Sequence, residues 1–158
     1  MTIASETSLA QHPLFAKLGP EPLGRIWNGT LLYKTLHFSK APVKSVLMDQ
    51  RKVAGVGNIY ACEALFRARI HPTRRADRVI KKEAEKLAAA IQSVLRAAIA
   101  SGGSTLRDYV RSSGGGGYFQ HHFNVYGRTQ EPCPVCRTPI RVMRQSGRST
   151  FFCPHCQK

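Results

Sequence analysis

Two Cys-x-x-Cys pairs, Cys133/Cys136 and Cys153/Cys156, flank a short basic segment close to the end of the chain. Four thiolates at that spacing suit a tetrahedral zinc ion, which can hold a small finger together where there is no room for a hydrophobic core. A redox dithiol is the competing chemistry, but neither pair sits in the strand-to-helix setting of a thioredoxin-like motif. The spacing therefore predicts one structural Zn2+ bound by Cys133, Cys136, Cys153 and Cys156. His155 lies inside the second pair, and with four thiolates already available it is expected to face solvent. The fifth cysteine, Cys62, falls among apolar residues at helical spacing and is expected in a helix core.

A chain of 158 residues accommodates a helical domain plus such a finger. Lysine and arginine outnumber the acids 24 to 9, giving a net charge of +15 spread along the sequence. A folded surface with that imbalance calls for a polyanion as partner. No apolar run approaches the roughly 20 residues of a bilayer span, and residues 1–10 lack the basic-then-apolar pattern of a secretory signal. Reduced, metal-holding cysteines fit a cytoplasmic location better than disulfides do, and a monomer is expected.

Hydrophobic periodicity places the remaining elements. After Gly19-Pro20-Glu21-Pro22, the residues Leu23, Ile26, Trp27 and Leu31 predict a first helix. Val43, Val46 and Leu47 predict a second. The turn Val53-Ala-Gly-Val-Gly-Asn58 leads to a third, with Ile59, Cys62, Leu65 and Phe66 inward and His71-Pro72 as its expected stop. Leu87, Ile91, Val94, Leu95, Ala98 and Ile99 predict a long helix over about 79–100, ended by Gly102-Gly103. Four glycines, Gly114 to Gly117, predict a mobile loop. Beyond it, Ile140-Arg-Val142 and Ser149 to Phe152 alternate around Gln145-Ser-Gly147 as a β-hairpin should. The fold class is mainly α with a small C-terminal β-hairpin zinc finger.

Within this frame, Gly55-Val-Gly-Asn58 is the strongest candidate for anion binding. Its glycines let a phosphate approach the backbone, and Asn58 stands where it can cap the following helix, whose free amides and positive dipole end face the anion. The turn lacks the lysine and Ser/Thr of a nucleotide-binding P-loop and follows no strand, which argues against ATP or NAD. Lys40, Lys44, Arg51 and Lys52 surround it and favour a phosphodiester backbone. Of the finger arginines Arg137, Arg141, Arg144 and Arg148, only Arg148 directly follows the hairpin turn, where it can present a guanidinium to phosphate.

Read together, Leu18-Gly-Pro-Glu-Pro-Leu23, Leu47-Met-Asp-Gln50, Val53-Ala-Gly-Val-Gly-Asn-Ile-Tyr60, Gly117-Tyr-Phe-Gln120, Val125-Tyr-Gly-Arg128, Gly147-Arg-Ser-Thr150 and the two cysteine pairs resemble the C-terminal half of formamidopyrimidine-DNA glycosylases. The resemblance implies a linker remnant over 1–17, a helix-two-turn-helix DNA-binding domain over 18–111, a base-covering loop and connector over 112–127, and a zinc finger over 128–158. It implies double-stranded damaged or abasic DNA as partner, with Lys40, Lys44, Gly55, Gly57, Asn58, Tyr126 and Arg148 in contact with it. By the same resemblance, Arg148 is the proton donor of the elimination step, and the loop closes over an extruded oxidised purine such as 8-oxoguanine or formamidopyrimidine.

The family's nucleophile is a proline directly after the initiator methionine, followed by a glutamate, on an N-terminal β-sandwich. Met1-Thr2-Ile3 does not match it. The expectation is a recognition half that binds damaged or abasic duplex but does not excise bases alone, with a separately encoded catalytic domain as possible partner. A freestanding, non-enzymatic nucleic-acid-binding zinc protein is the second reading, and an RNA-binding protein a third.

Overall fold

The computed structural model describes residues 17–102 and 123–158. The expected linker remnant (except Lys17) and the glycine loop lie outside the described residues. Among the described residues the regular structure is four α-helices, a 3-10 turn and one hairpin: α1 Gly29–His37, α2 Val43–Met48, α3 Asn58–Ala68, the 3-10 turn Ala76–Arg78, α4 Lys81–Ala100, β1 Arg141–Gln145 and β2 Arg148–Phe152.

Helix α4 forms the floor of the helical body. Its apolar stripe, Leu87, Ile91, Val94 and Ala98, is fully buried and packs against both α1 and α3. The period-3.6 reading of this segment holds, although the helix starts at Lys81 rather than at 79. Ile80 donates its amide to the Glu83 carboxylate, satisfying one N–H at the helix entrance.

The first helix differs from expectation. Leu23 and Ile26 are 41% and 68% exposed, in turns that precede α1. Asn28 is the cap, its Oδ1 accepting the Leu31 amide at 2.8 Å. An asparagine in that role favours extended backbone, so the apolar quartet straddles a helix boundary instead of filling a helix face. Trp27, just before the cap, inserts into the core and donates Nε1–H to the Ala88 carbonyl at 3.2 Å.

The third helix also ends before its expected stop. Arg69 adopts the left-handed conformation (φ 62°) and closes α3 after Ala68, and His71-Pro72 follow that end rather than cause it. At its other end the cap is Gly57, so Asn58 is the first helical residue and does not cap.

Between α2 and α3 the chain makes two tight turns. Gly19 donates its amide to the Gln50 carbonyl at 2.8 Å and Ala54 donates to the Pro20 carbonyl at 3.1 Å, which binds the entering segment to these turns. The approach is so close that a Cβ on Gly19 would lie 2.4 Å from the Lys52 carbonyl carbon.

The finger hairpin is antiparallel, with Gln145 paired to Arg148 and Arg141 to Phe152. Ser146 and Gly147 both have positive φ (52° and 77°), the signature of a two-residue type I′ turn whose twist matches that of the strands. A second core cluster joins the finger to the helices: Cys62 and Phe66 of α3 pack with Val125, Cys133, Ile140 and Cys153. Cys62 is helix core as expected, but that core belongs to the interface. The end of the sequence completes the seam. Gln157 Nε2 donates to the Ile70 carbonyl at 3.0 Å, its Oε1 accepts the Cys153 amide at 2.8 Å, and the Lys158 carbonyl accepts the His71 amide at 3.0 Å.

Candidate nucleic-acid interface and metal centre

Gln50 shapes the glycine turn from within. Its Oε1 accepts the Gly55 amide at 2.7 Å, while its Nε2 donates to the Val56 carbonyl at 3.3 Å. Gly55 has φ +84°, a conformation that strains any side chain, and its amide is already engaged, so it contributes backbone shape rather than a donor. A Cβ on Gly55 or Gly57 would meet nothing within 4 Å, so the outer surface of the turn is open to a ligand. Gly57 supplies no side-chain cap to α3. The first-turn amides therefore keep the unsatisfied donors and partial positive charge of a helix N-terminus.

Asn58 ties this turn to the finger. Its Nδ2 donates to the Ser149 carbonyl at 3.0 Å, across 91 residues of sequence, and its Oδ1 is buried with no hydrogen-bond partner. Ser149 follows Arg148, so the open amides and the hairpin arginine share one face of the molecule. Arg148 is exposed, with no ion pair among the described residues. It lines a cleft with Lys44, Ser45, Met48 and Asp49 of the α2 region and with Gln145 and Ser146 of the hairpin. The acid in this cleft, Asp49, is held by Arg51 at 3.2 Å, an interaction that lowers its carboxyl pKa.

Lys44 occupies an unexpected place. It is 2% exposed, and its Nζ donates to Thr150 Oγ1 at 2.6 Å. Burial lowers its pKa, the proximity of Cys62 opposes that shift, and Arg148 adds to it. The ammonium is therefore held at the base of the cleft beside a second cation. Tyr126 packs against the hairpin: its ring meets Phe151 edge-on at 4.8 Å and Phe123 at 5.7 Å. Burial raises its hydroxyl pKa, with the Asn58 side chain pulling the other way. Lys40 is exposed on the connection between α1 and α2.

Three supporting residues escaped the sequence reading. Gln50 and Gln157 are described above. The third is Glu63, 1% exposed on α3, whose carboxylate accepts the amides of Asn124, Val125 and Tyr126 at 3.0–3.1 Å. It anchors the connector that carries Tyr126. The available signal is an acid four residues after Ile59, between the inward-facing Cys62 and Leu65.

The four finger cysteines converge, with all four Sγ atoms within 4.8 Å of one another. Cys133 and Cys156 sulfurs lie 3.8 Å apart and Cys136 and Cys153 sulfurs 3.4 Å apart. A tetrahedron with Zn–S bonds of about 2.3 Å has edges of about 3.8 Å, so the site is the right size. Backbone amides of Val135 and Cys156 point at Cys133 Sγ and Cys153 Sγ at 3.4 and 3.3 Å, which stabilises thiolates. His155 is exposed and outside the cluster. The donor set suits one structural zinc with no open coordination position.

Comparison with known proteins gives this geometry its context. Residues 18–110 match the formamidopyrimidine-DNA glycosylase H2TH domain, and residues 130–158 match the zinc finger found in FPG and IleRS. The formamidopyrimidine-DNA glycosylase of Marinobacter nauticus is 49% identical over 96% of this chain, and that of Rhodospirillum centenum 51% identical over all of it. The chain spans 56% and 57% of the length of these two relatives. The crystal structure of MutM (Fpg) from Thermus thermophilus superposes with a TM-score of 0.84 at 46% identity, over 92% of this chain and 56% of that one. Lactococcus lactis Fpg in complex with DNA containing an abasic site superposes with a TM-score of 0.87 at 36% identity, over 98% and 56%. In its helical domain, its finger and its sequence, the chain belongs to the formamidopyrimidine-DNA glycosylase family of DNA-binding repair proteins.

Proposed function

We propose that these 158 residues form the DNA-recognition half of a base-excision-repair glycosylase/AP lyase acting on oxidised purines, and that taken alone they bind damaged or abasic duplex DNA without excising a base. The observation that carries the reading is the Asn58–Ser149 hydrogen bond, which brings the open amides of α3 and the Arg148 guanidinium to one face. In this reading the amides beyond Gly57 hold a backbone phosphate, Gly55 keeps that surface free of side chains, and Asn58 fixes the register. Lys44 and Lys40 add charge from below and from the flank. Tyr126 lines the site, and Arg148 engages the damaged nucleotide and donates the proton of the elimination step.

Among the described residues, neither Lys40 nor Lys44 makes a contact that would place its amine at a sugar C1′, and Lys44 is committed to Thr150. In this reading the nucleophile is supplied by a separate domain. The boundaries 1–17, 18–111, 112–127 and 128–158, a monomeric state and a cytosolic location belong to the same proposal. Among the described residues no helix is long and apolar enough to cross a membrane.

Fluorescence anisotropy against duplex DNA carrying an abasic analogue, undamaged duplex and structured RNA tests the binding, with borohydride trapping on an abasic duplex as the second arm. The expected result is preference for the abasic duplex with no cross-link. Equal affinity for RNA would overturn the recognition assignment, and an efficient cross-link would overturn the division of labour. Salt dependence does not discriminate, because any protein neutralising about four to six phosphates gives a log–log slope of about −4 to −5.

A further inference from the structure

Away from the cleft, the end of α1 carries an aromatic cluster that the DNA cradle does not use. Phe38, the residue that caps α1, is 87% exposed, the most exposed large hydrophobic residue among those described. Its ring meets that of His37 edge-on at 5.6 Å, and His37 in turn lies 5.6 Å from Tyr33 at an interplanar angle of 31°. Lys34 stands one helical turn before Phe38 and is also exposed.

The next residues dock against the 3-10 turn, with the Ala76 amide donating to the Ala41 carbonyl and the Asp77 amide to the Ser39 carbonyl. That docking sets Lys40 and Arg78 close to Asp77, whose amide is bonded to the residue after Phe38. Asp77, the acid at this junction, is paired with Arg75 at 2.7 Å, and Arg78 and Lys40 further lower its carboxyl pKa. After that pairing, Lys34, Lys40 and Arg78 are in no ion pair among the described residues and remain as excess positive charge at this end of α1.

We infer that Phe38, backed by His37 and Tyr33 and accompanied at this end of α1 by Lys34, Lys40 and Arg78, is a stacking subsite for an unpaired nucleobase of a strand running out of the DNA cradle. This extends the DNA-binding reading and rests on it. An aromatic face with cations around it has the two components of single-strand recognition, a π-surface for the base and charge for the backbone. Bases within a duplex hide their faces in the stack, so the subsite takes a single-stranded or frayed flank.

The chain bounds the distance. Phe38 precedes Lys44 by six residues, so their Cα atoms lie within roughly 20 Å at full extension. That corresponds to about six base steps along one strand.

The test compares a blunt abasic duplex with the same duplex carrying a single-stranded extension that begins within about six base steps of the lesion, in either polarity. The extension carries 2-aminopurine, whose emission is quenched when it stacks. The intact chain is expected to bind one extended polarity more tightly and to quench its probe. Phe38→Ala is expected to lose that gain, by roughly tenfold, and the quench, while binding blunt duplex as before. Phe38→Trp should restore both. At 87% exposure the side chain is dispensable for folding.

An extension that adds neither affinity nor quench, with blunt duplex still bound, overturns the subsite and leaves the proposed function intact. Failure to bind the blunt abasic duplex counts against the proposed function itself. Equal loss on blunt and extended DNA in Phe38→Ala, or concentration-dependent self-association of the intact chain that Phe38→Ala abolishes, also overturns the subsite.

Discussion

An ammonium 2% exposed at Lys44, donating to a single hydroxyl, is poorly explained by stability. With its pKa lowered in the folded state, the charged form is disfavoured there relative to the unfolded chain. The resulting penalty is full below the folded pKa, fades as pH rises from the folded to the unfolded value and is gone above the latter, so below the unfolded pKa ionisation of Lys44 opposes folding. A nearby Arg148 increases the strain. Such a group is explained if an anion arrives above the cleft and offsets both cations. Two variants separate the roles. Lys44→Met alone leaves the buried Thr150 hydroxyl without its donor, a cost of about 1–3 kcal/mol that works against the relief of removing the buried charge, whereas Lys44→Met with Thr150→Val leaves no orphan and should melt at or above the parent. Both should bind abasic duplex more weakly than the parent. Thermal melts and anisotropy on the same samples check the pattern, and a double variant that binds like the parent would remove Lys44 from the interface.

At the scale of elements, α3 connects everything that the site needs. Its N-terminus presents the open amides, Asn58 reaches the hairpin, Glu63 holds the connector, and Cys62 and Phe66 form one side of the finger core. Glu63→Ala should therefore do more than lower stability. Three backbone amides lose a charged acceptor in a buried setting, a loss on the order of 3 kcal/mol, and Tyr126 loses its placement. Hydrogen exchange should rise first at residues 124–126 and spread to the rest only near the global transition. Early exchange throughout α4 would show instead that the clamp supports the whole body.

The contrast between elements shows what could be read without coordinates. Helix α4, the hairpin and the cysteine pairs are specified by residues close in sequence, through a 3.6-residue stripe, an alternating pattern around Ser146-Gly147 and a ligand spacing. Periodicity alone starts α1 too early because Leu23 and Ile26 mimic a stripe, while the deciding signal is the capping tendency of Asn28. Asn58 looked like a cap because its type suits one, yet its partner is a carbonyl on the hairpin. Gln50, Glu63 and Gln157 act on groups brought near by folding, so their roles are fixed by tertiary contacts that local patterns do not encode.

At the scale of the whole molecule, the described residues form two apolar cores with different sources of order. The larger one, around Trp27, Leu32, Leu36, Leu65, Leu87 and Ile91, lies among the helices and owes nothing to the cysteines. The smaller one includes two of the four metal-binding cysteines and is closed by α3. Structural zinc in small fingers contributes about 10 kcal/mol or more, so chelation should unfold the finger outright. The single tryptophan, Trp27, sits in the larger core and gives a local report on it. On treatment with a strong chelator its emission should hardly shift and helical circular dichroism should persist, while affinity for abasic duplex collapses because Arg148 and the Ser149 carbonyl that orients Asn58 have lost their scaffold. The helical body should nonetheless melt earlier than before, since Cys62 and Phe66 become exposed and the anchor from Gln157 to Ile70 is released. Readdition of Zn2+ should restore binding and melting temperature together. A chelated chain that keeps its affinity would mean that the α3 amides hold the duplex unaided. A Trp27 shift parallel to the loss of binding would mean that the two cores fold as one cooperative unit.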